Sequence, residues 1–345
     1  MKRFVILIIV VLALSIPFQA LAADYEPLES WYGFEDTMGF VQKLDLPAVT
    51  HYGFELQARE VLVESDRVHI LMTAASDQIT SINSISAGGP DGILAIGDDP
   101  YLEENRFDLQ MDNWGVNPSG DPASLERDGT TQFVLTAFIP GDRFLDDEIA
   151  MSVRLTKINL YTGDEPYAIE YGGPWNFSFT ADLRPMHELT RTIPIRDGFV
   201  GNGEVFEVTK LESSPVRSRV FLRAMLPDDS PNEFQDVGAQ NLIGILVSDG
   251  AGNQIELTSD MHDFDYLNPS EIDRYSFEIF GNDVGWEWMK DAAELTLTPY
   301  MATFAGPKLD GSSGLARYQA LDPIAVRTEK AEPDELEAFM AGFEP

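Results

Sequence analysis

The stretch GPWNFSFTAD, residues 173–182, decides the fold class. Its apolar and polar residues alternate: Trp175, Phe177, Phe179 and Ala181 share one parity, and Asn176, Ser178, Thr180 and Asp182 share the other. Successive side chains of a β-strand point to opposite faces of the sheet. The stretch is therefore predicted to be a strand of an antiparallel sheet, with Trp175 on the core face and the polar residues in water.

The same alternation recurs at residues 149–155, 275–279 and 295–297. Clusters of Gly, Pro, Asp and Ser separate the apolar runs, and they lie at residues 64–67, 88–92, 118–122, 140–142 and 248–253. Long amphipathic helical patterns are absent from the middle of the chain. Many short strands separated by turn residues are typical of β-sandwiches, so the fold class is predicted to be all-β.

A weak internal repeat predicts the number of domains. Residues 53–72 and 203–222 both have the pattern of a β-hairpin, and the second lies 150 residues after the first. Each is followed by an apolar strand in the middle of its unit and by two further strands. We predict two related sandwiches, at residues 46–184 and 188–304.

Three strings suggest a relative: GPWNFSF at 173–179, TRTIPI at 190–195 and VTKLESSP at 208–215. Together they resemble a tandem of uncharacterised immunoglobulin-like domains from the extracytoplasmic part of Gram-positive, anti-sigma-factor-like membrane proteins. The resemblance covers roughly residues 46 to 304 and implies two tandem immunoglobulin-like β-sandwiches. Those relatives begin with a cytoplasmic segment and a transmembrane helix, whereas this chain is expected to begin with a signal peptide alone, and no catalytic residues come with the resemblance.

The N-terminus has the three parts of a secretory signal. Lys2 and Arg3 are basic, residues 4–18 are mostly apolar, and Ala20-Leu21-Ala22 fits a signal peptidase site. The apolar run is shorter than the roughly 18 to 20 residues that cross a bilayer. We therefore expect a signal peptide at 1–22 that is cleaved, and an extracellular or cell-surface protein that is not inserted in the membrane.

The flanks of the two predicted sandwiches lack a strand pattern. Residues 23–45 are predicted to be a linker with several aromatic residues, among them Trp31, Tyr32 and Phe34, which either pack on the first sandwich or bind a partner. Residues 305–345 are rich in Gly, Ser and Asp. They are predicted to be a flexible acidic tail with a short helix after Pro333.

Charge and cysteine content exclude several classes of protein. The formal net charge is −35, and a field of this sign repels nucleic-acid phosphates and anionic lipids. Such acidity is also common where a secreted protein needs only solubility. The chain has no cysteine, which excludes disulfides and thiolate metal sites.

Motifs for catalysis are missing from the sequence. The four histidines, His51, His69, His187 and His262, form no zinc-binding pair, and His69 falls on the predicted solvent side of its hairpin. No serine-hydrolase elbow or phosphate-binding loop is present, and the many carboxylates single out no pair. We expect no enzymatic activity and no cofactor.

Calcium is the metal ion that this sequence could bind, because Ca²⁺ prefers oxygen ligands and carboxylates cluster in two predicted loops. Asp260, Asp263 and Asp265 lie within six residues, and a second cluster combines Asp98, Asp99, Glu103, Glu104 and Asp108. Neither matches the twelve-residue calcium loop, so an ordinary polar loop is the simpler interpretation. Asp249–Asn253 is interpreted as a hairpin turn with glycines at positive φ.

Two tryptophans are the other candidate for a binding site. Trp286 and Trp288 would share one face of a strand and could stack on sugar rings, although two core residues would show the same spacing. The leading functional hypothesis is a secreted or surface protein that binds another protein or a cell-envelope glycan. The alternatives are a carbohydrate-active enzyme or its glycan-binding module, and a structural spacer of the envelope.

Overall fold

The computed structural model describes residues 25–32, 39–76, 82–86, 92–97, 101–111, 130–139, 144, 146–162, 169–201, 204–225, 239–258, 274–281, 285–305 and 314–327. The chain divides into two compact units, Met1–His187 and Glu188–Pro345. Both are built almost entirely from antiparallel strands, which confirms the all-β prediction. In the described part of the chain, no helix combines the length and the apolar character needed to cross a membrane.

The first unit contains eleven strands within the described ranges, one short helix, a 3₁₀ turn at Glu103–Asn105, and the start of a second helix. Its elements are α1 Leu28–Tyr32, β1 Val41–Lys43, β2 Val49–His51, β3 Phe54–Val63, β4 Arg67–Ala75, β5 Ile82–Ser86, β6 Gly92–Ile96, β7 Arg106–Asp108, β8 Gln110–Met111, β9 Thr130–Phe138, β10 Glu148–Thr162, β11 Ile169–Asp182 and α2 Arg184–Leu189.

These strands form two sheets. The first has the order β1-β3-β4-β9-β8, with β2 beside β3, and the second has the order β11-β10-β6-β7, with β5 beside β10. Residues 106–111 join the sheets, because β7 pairs with β6 in one and β8 pairs with β9 in the other.

Aromatic residues connect the two sheets through the core. Trp175 on β11 is fully buried, and its Nε1–H donates to the carbonyl of Phe54 on β3 at 3.4 Å. The Phe54 ring stacks on Tyr171, with 4.7 Å between ring centroids. The predicted core parity of Trp175 and Phe177 is confirmed, since both side chains are buried while Asn176 and Ser178 are exposed.

The second unit contains nine strands in its described ranges and the short helix α3. Its elements are β12 Arg191–Gly201, β13 Glu204–Ser213, β14 Ser218–Met225, β15 Ala239–Asp249, β16 Gln254–Thr258, β17 Arg274–Gly281, α3 Trp286–Met289, β18 Glu294–Ala305, β19 Gly314–Ala320 and β20 Ile324–Arg327.

All nine strands belong to one sheet, whose order is β12-β13-β14-β17-β16-β15-β18-β19, with β20 beside β18. Among the described residues, one pair, Thr258 and Phe280, joins its two halves. The strand β12 also contacts β18 and β20, so the sheet curves back on itself around one hydrophobic core.

The two units share a pattern of strand pairing. In the first, β3 pairs with β4, β4 with β9, and β6 with β10; in the second, β13 pairs with β14, β14 with β17, and β15 with β18. The hairpins match in register at an offset of 150 residues. Each has a bulge at the same place, Arg59 in β3 and Thr209 in β13.

Both flanks contain regular structure that their composition did not predict. Residues 25–32, placed in the linker, include α1, and β1 pairs with β3. Residues 314–327, placed in the tail, form β19 and β20, which pair with β18. The predicted helix after Pro333 lies outside the described residues.

Candidate functional site

One face of the sheet β3-β4-β9 carries polar side chains that are buried. The other face of the same strands meets the core through Val68, Ile70 and Leu135. We call the polar face the strap face, and it is formed by Glu60, Leu62, Arg67, His69, Leu71, Thr73, Gln132, Val134 and Thr136. Residues 25–32, here called the strap, contact this face through the hydrogen bonds described below, and Leu28 of the strap is fully buried.

Glu60 is the main partner of the strap. Its carboxylate accepts a hydrogen bond from the Tyr25 hydroxyl at 2.8 Å through Oε1 and one from the Leu28 backbone N–H at 2.8 Å through Oε2. The second bond satisfies an N–H group at the start of α1 that has no partner within the helix. Gln132 Oε1 accepts from the Glu26 N–H at 3.0 Å. Side chains of the sheet therefore hold the backbone of the strap.

His69 lies at the other end of the strap, and the prediction that it faces solvent is wrong. Its ring is 1% exposed, because Tyr32 of the strap covers it. Nε2 lies 2.7 Å from Glu64 Oε1, while Nδ1 lies 2.8 Å from the Tyr32 hydroxyl and 2.9 Å from Thr136 Oγ1. An ionised Glu64 can only accept, so Nε2 carries a proton and donates to it, while Nδ1 lies within hydrogen-bonding distance of both hydroxyls.

The Tyr25 hydroxyl makes the strap sensitive to alkaline pH. Burial, together with the hydrogen bond to Glu60 and the charge of that carboxylate, raises the pKa of Tyr25 to about 12. Because this value lies above the ordinary value of 10.0, the stabilisation is complete below pH 10.0 and is lost as the pH rises through about 12.

We therefore expect the strap to detach between about pH 10 and pH 12. Thermal unfolding followed over this range, with tyrosinate absorbance recorded in parallel, measures the effect. Tyr25→Phe should be less stable at neutral pH but should lose the alkaline step, whereas Tyr101→Phe should keep it. If Tyr25→Phe loses stability at alkaline pH as the native protein does, a group other than Tyr25 causes the loss.

A second feature of the first unit is an exposed aromatic residue on a tight turn. Tyr52 is 84% exposed and joins β2 to β3, in a turn where His51 pairs with Phe54. Its φ is 49°, and Gly53 follows at 79°, so both central residues are left-handed. Such turns favour Asn-Gly, and a tyrosine in the first position costs about 1–2 kcal/mol.

The turn at Tyr52 lies at the end of the unit where several described strands begin or end. The end of β4 and the beginning of β9 lie beside the start of β3. Tyr171, near the start of β11, stacks on Phe54, and the His51 ring lies 4.6 Å from the Tyr52 ring. Residues 77–81, 112–129 and 163–168, which are next to these strands in the sequence, lie outside the described residues.

The sequence-predicted aromatic pair lies on a helix and not on a strand. Trp286 and Trp288 are both in α3, where residues two apart point to different sides. Trp286 is 6% exposed, its Nε1–H donates to the Leu189 carbonyl at 2.8 Å, and Lys290 Nζ lies 4.3 Å from its ring centroid. Trp288 packs against the hydrophobic core of the second unit.

Arg191 holds the end of this helix. Its guanidinium donates to the backbone carbonyls of Met289, Lys290 and Ala292. These carbonyls belong to the last turn of α3 and the residues after it, where a cation also interacts well with the helix dipole. This contact fixes α3, and Trp286 with it, against β12.

The predicted calcium residues fall largely outside the described structure. Asp260, Asp263 and Asp265 are not among the described residues, and neither are Asp98 and Asp99. Glu103 and Glu104 lie in the 3₁₀ turn, and Asp108 lies in β7. Within the described ranges, no three His, Asp or Glu side chains converge as ligands for a metal ion.

The turn at residues 249–253 is a hairpin between β15 and β16, as predicted. The Asp249 carboxylate accepts from the side chain of Asn253 and from the backbone N–H groups of Ala251 and Asn253, and these bonds lower the pKa of Asp249. Gly252 has a φ of 94°. Gly250 does not have a positive φ, so only one of the two glycines has the predicted conformation.

No protein-family model matches the chain, and no curated protein matches it. Among solved structures, it is similar to the conserved domain protein from Bacillus anthracis, with a TM-score of 0.52 and 15% sequence identity. The alignment covers 86% of this chain and 94% of that protein. At this identity the similarity concerns the fold alone.

Sequence reasoning did not find Tyr52, Glu60 or the role of His69. For Tyr52 a signal existed, since Tyr-Gly stands between two short apolar-alternating runs, at a place where Asn-Gly is usual. For Glu60 and His69 no local signal exists, because the strap that buries them is distant in the sequence.

Proposed function

We propose that this chain is an exported protein with two tandem immunoglobulin-like domains, and that it acts by binding a partner at the cell surface. The strand order of the first unit supports the fold assignment. In an immunoglobulin-like sandwich one sheet has the order A-B-E-D and the other C′-C-F-G. The orders β3-β4-β9-β8 and β7-β6-β10-β11 correspond to these, with β1 as an additional edge strand.

The second unit supports the same assignment. Its orders β13-β14-β17 and β16-β15-β18-β19 correspond to A-B-E and C′-C-F-G. It differs in that one residue pair, Thr258 and Phe280, joins the two halves into a continuous sheet. The common hairpin register and the common bulge position also favour two related domains.

The single observation that carries the binding proposal is Tyr52. A large aromatic side chain held 84% exposed on a left-handed turn gains nothing from burial and costs backbone strain. Exposed aromatics on rigid turns are frequent anchors of binding surfaces. In an immunoglobulin-like domain this end also carries the B–C and F–G connections, which form binding surfaces in variable domains.

The predicted signal peptide and the acidic composition support a role outside the cell. The sequence of Lys2, Arg3, the apolar run at 4–18 and Ala20-Leu21-Ala22 fits a cleaved signal. A net charge of −35 favours partners with cationic groups and weakens contact with anionic lipids and nucleic acids.

The test is a cosedimentation assay with the mature protein and intact cell-wall sacculi or membrane fractions of the cell that encodes it. Tyr52→Asn should weaken binding by roughly thirtyfold, as expected for an aromatic anchor. Because asparagine suits the turn, the same variant should be at least as stable as the native chain.

Tyr101→Asn is the matched control. Tyr101 is 81% exposed but follows β6, towards the opposite end of the unit, so its loss should leave binding unchanged. If both variants bind like the native protein, Tyr52 does not mark the binding surface. If the native protein sediments with neither fraction, the proposed surface function is wrong.

A further inference from the structure

We propose that the strap face is a peptide-binding groove, which this chain fills with its own strap. The ligand class is a short peptide that has tyrosine at the first position, leucine at the fourth and tyrosine at the eighth, with a helical turn over its last five residues. This site is separate from Tyr52 and does not depend on the function proposed above.

The strap contacts the groove as a docked peptide would. Tyr25, Leu28 and Tyr32 are the three anchors, and Leu28 and Tyr32 lie one helical turn apart on α1, as anchors do in peptides whose helix lies in a groove. Leu28 is fully buried, Tyr25 reaches Glu60, and Tyr32 lies over His69 with 4.8 Å between ring centroids. Ser30, on the opposite side, is exposed.

The groove recognises the backbone of the strap as well as its side chains. Glu60 and Gln132 come from different strands, and each accepts a hydrogen bond from a backbone N–H of the strap, at Leu28 and Glu26 respectively. Bonds to backbone groups fix the position of a peptide irrespective of its side chains, and the anchor residues then give specificity. Arg59 adds a cation 5.5 Å from the centroid of the Tyr25 ring.

The floor of the groove is polar and stands on the sheet. Glu60 and His69 are 1% exposed and Gln132 is 7% exposed, and all three stand on strands whose other face is in the core. His69 is held by Glu64 and Thr136, neither of which belongs to the strap. The bonds of His69 to Glu64 and Thr136 do not depend on the strap. Glu60 and Gln132 accept from the strap itself, and these acceptors become available to a ligand when the strap leaves.

The experiment uses the full mature chain with a site-specific protease sequence inserted between residues 33 and 38, which connect the strap to β1. After cleavage of the folded protein, a fluorescent peptide of residues 24–32 is added and its anisotropy is measured. We expect saturable binding as the peptide replaces the cleaved strap. Circular dichroism before and after cleavage reports whether the sheets remain folded.

Variants of the peptide and of the groove test the assignment of the anchors. A peptide with Leu28→Ala should bind about tenfold more weakly or worse, because a fully buried leucine side chain is lost, whereas Ser30→Ala should bind equally well. In the protein, Glu60→Gln should weaken binding, and Glu170→Gln, an exposed carboxylate of the same unit, should not.

Two results would overturn the proposal. If the sheets unfold on cleavage, the strap is an inseparable part of the fold and not a ligand. If the sheets stay folded and the labelled peptide does not bind, or binds regardless of Leu28 and Glu60, the strap face is not a specific groove.

Discussion

Replacement of Trp175 by alanine should lower the free energy of unfolding of the first unit by about 3–5 kcal/mol. The indole is fully buried between the two sheets, lies 5.8 Å from the Phe54 ring and donates to the Phe54 carbonyl. Alanine would leave a cavity at the contact between β3 and β11. Urea unfolding followed by circular dichroism measures the loss.

Asn176→Ala is the control for this prediction, because the neighbouring side chain on the same strand is exposed. Its effect should stay within about 0.5 kcal/mol. Trp175→Phe should be intermediate, since it keeps an aromatic ring in the core but loses the N–H donor. A loss below about 1 kcal/mol for Trp175→Ala would show that the indole does not hold the sheets together.

Replacement of Arg219 by methionine should destabilise the second unit by about 3–5 kcal/mol. Arg219 on β14 and Glu212 on β13 form an ion pair whose side chains are 1% and 4% exposed. Lys210 Nζ, at 3.5 Å, also contacts Glu212 but is partly exposed. Without Arg219 the Glu212 carboxylate would stay buried with weaker compensation of its charge.

The double variant Arg219→Met/Glu212→Leu should lose much less stability than either single variant, because apolar residues of similar volume often replace a buried ion pair at little cost. Thermal and urea unfolding of all four proteins give the coupling energy. Lys290→Ala, which removes the exposed pair with Glu287, should cost no more than about 1 kcal/mol. Additive losses at Arg219 and Glu212 would contradict the assigned pairing.

The strands that face a core on one side were predictable from the sequence. The alternation at 149–155 and 175–181 is local, and β10 and β11 follow it with Met151, Val153, Trp175 and Phe177 buried. The hairpins were predictable for the same reason, since each combines alternation with a turn cluster. Residues 324–326 also show a short alternation, with Ile324 and Val326 buried, but three residues after Pro323 are too short a run to predict a strand.

Features that depend on distant parts of the chain were not predictable. The sequence correctly placed His69 on the other face of the sheet from Val68 and Ile70. The strap covers that face, so the side chain is buried and not exposed. For Trp286 and Trp288, spacing alone does not distinguish a strand from one turn of helix, and Arg191 stabilises the helix from almost a hundred residues away. Asp260, Asp263 and Asp265 lie outside the described residues, so the calcium hypothesis stays a prediction.

The strap also sets an order for the formation of the native state. Glu26 is bonded to Gln132 across 106 residues of sequence, and Tyr32 touches the same histidine that Thr136 contacts. If the chain crosses a membrane N-terminus first, the strap cannot complete its contacts with the strap face until β9 has also crossed. Contacts of such long sequence separation form late and slow the folding of a domain. The strap would thus be exported first but would dock among the last elements, and until then it could contact other protein chains.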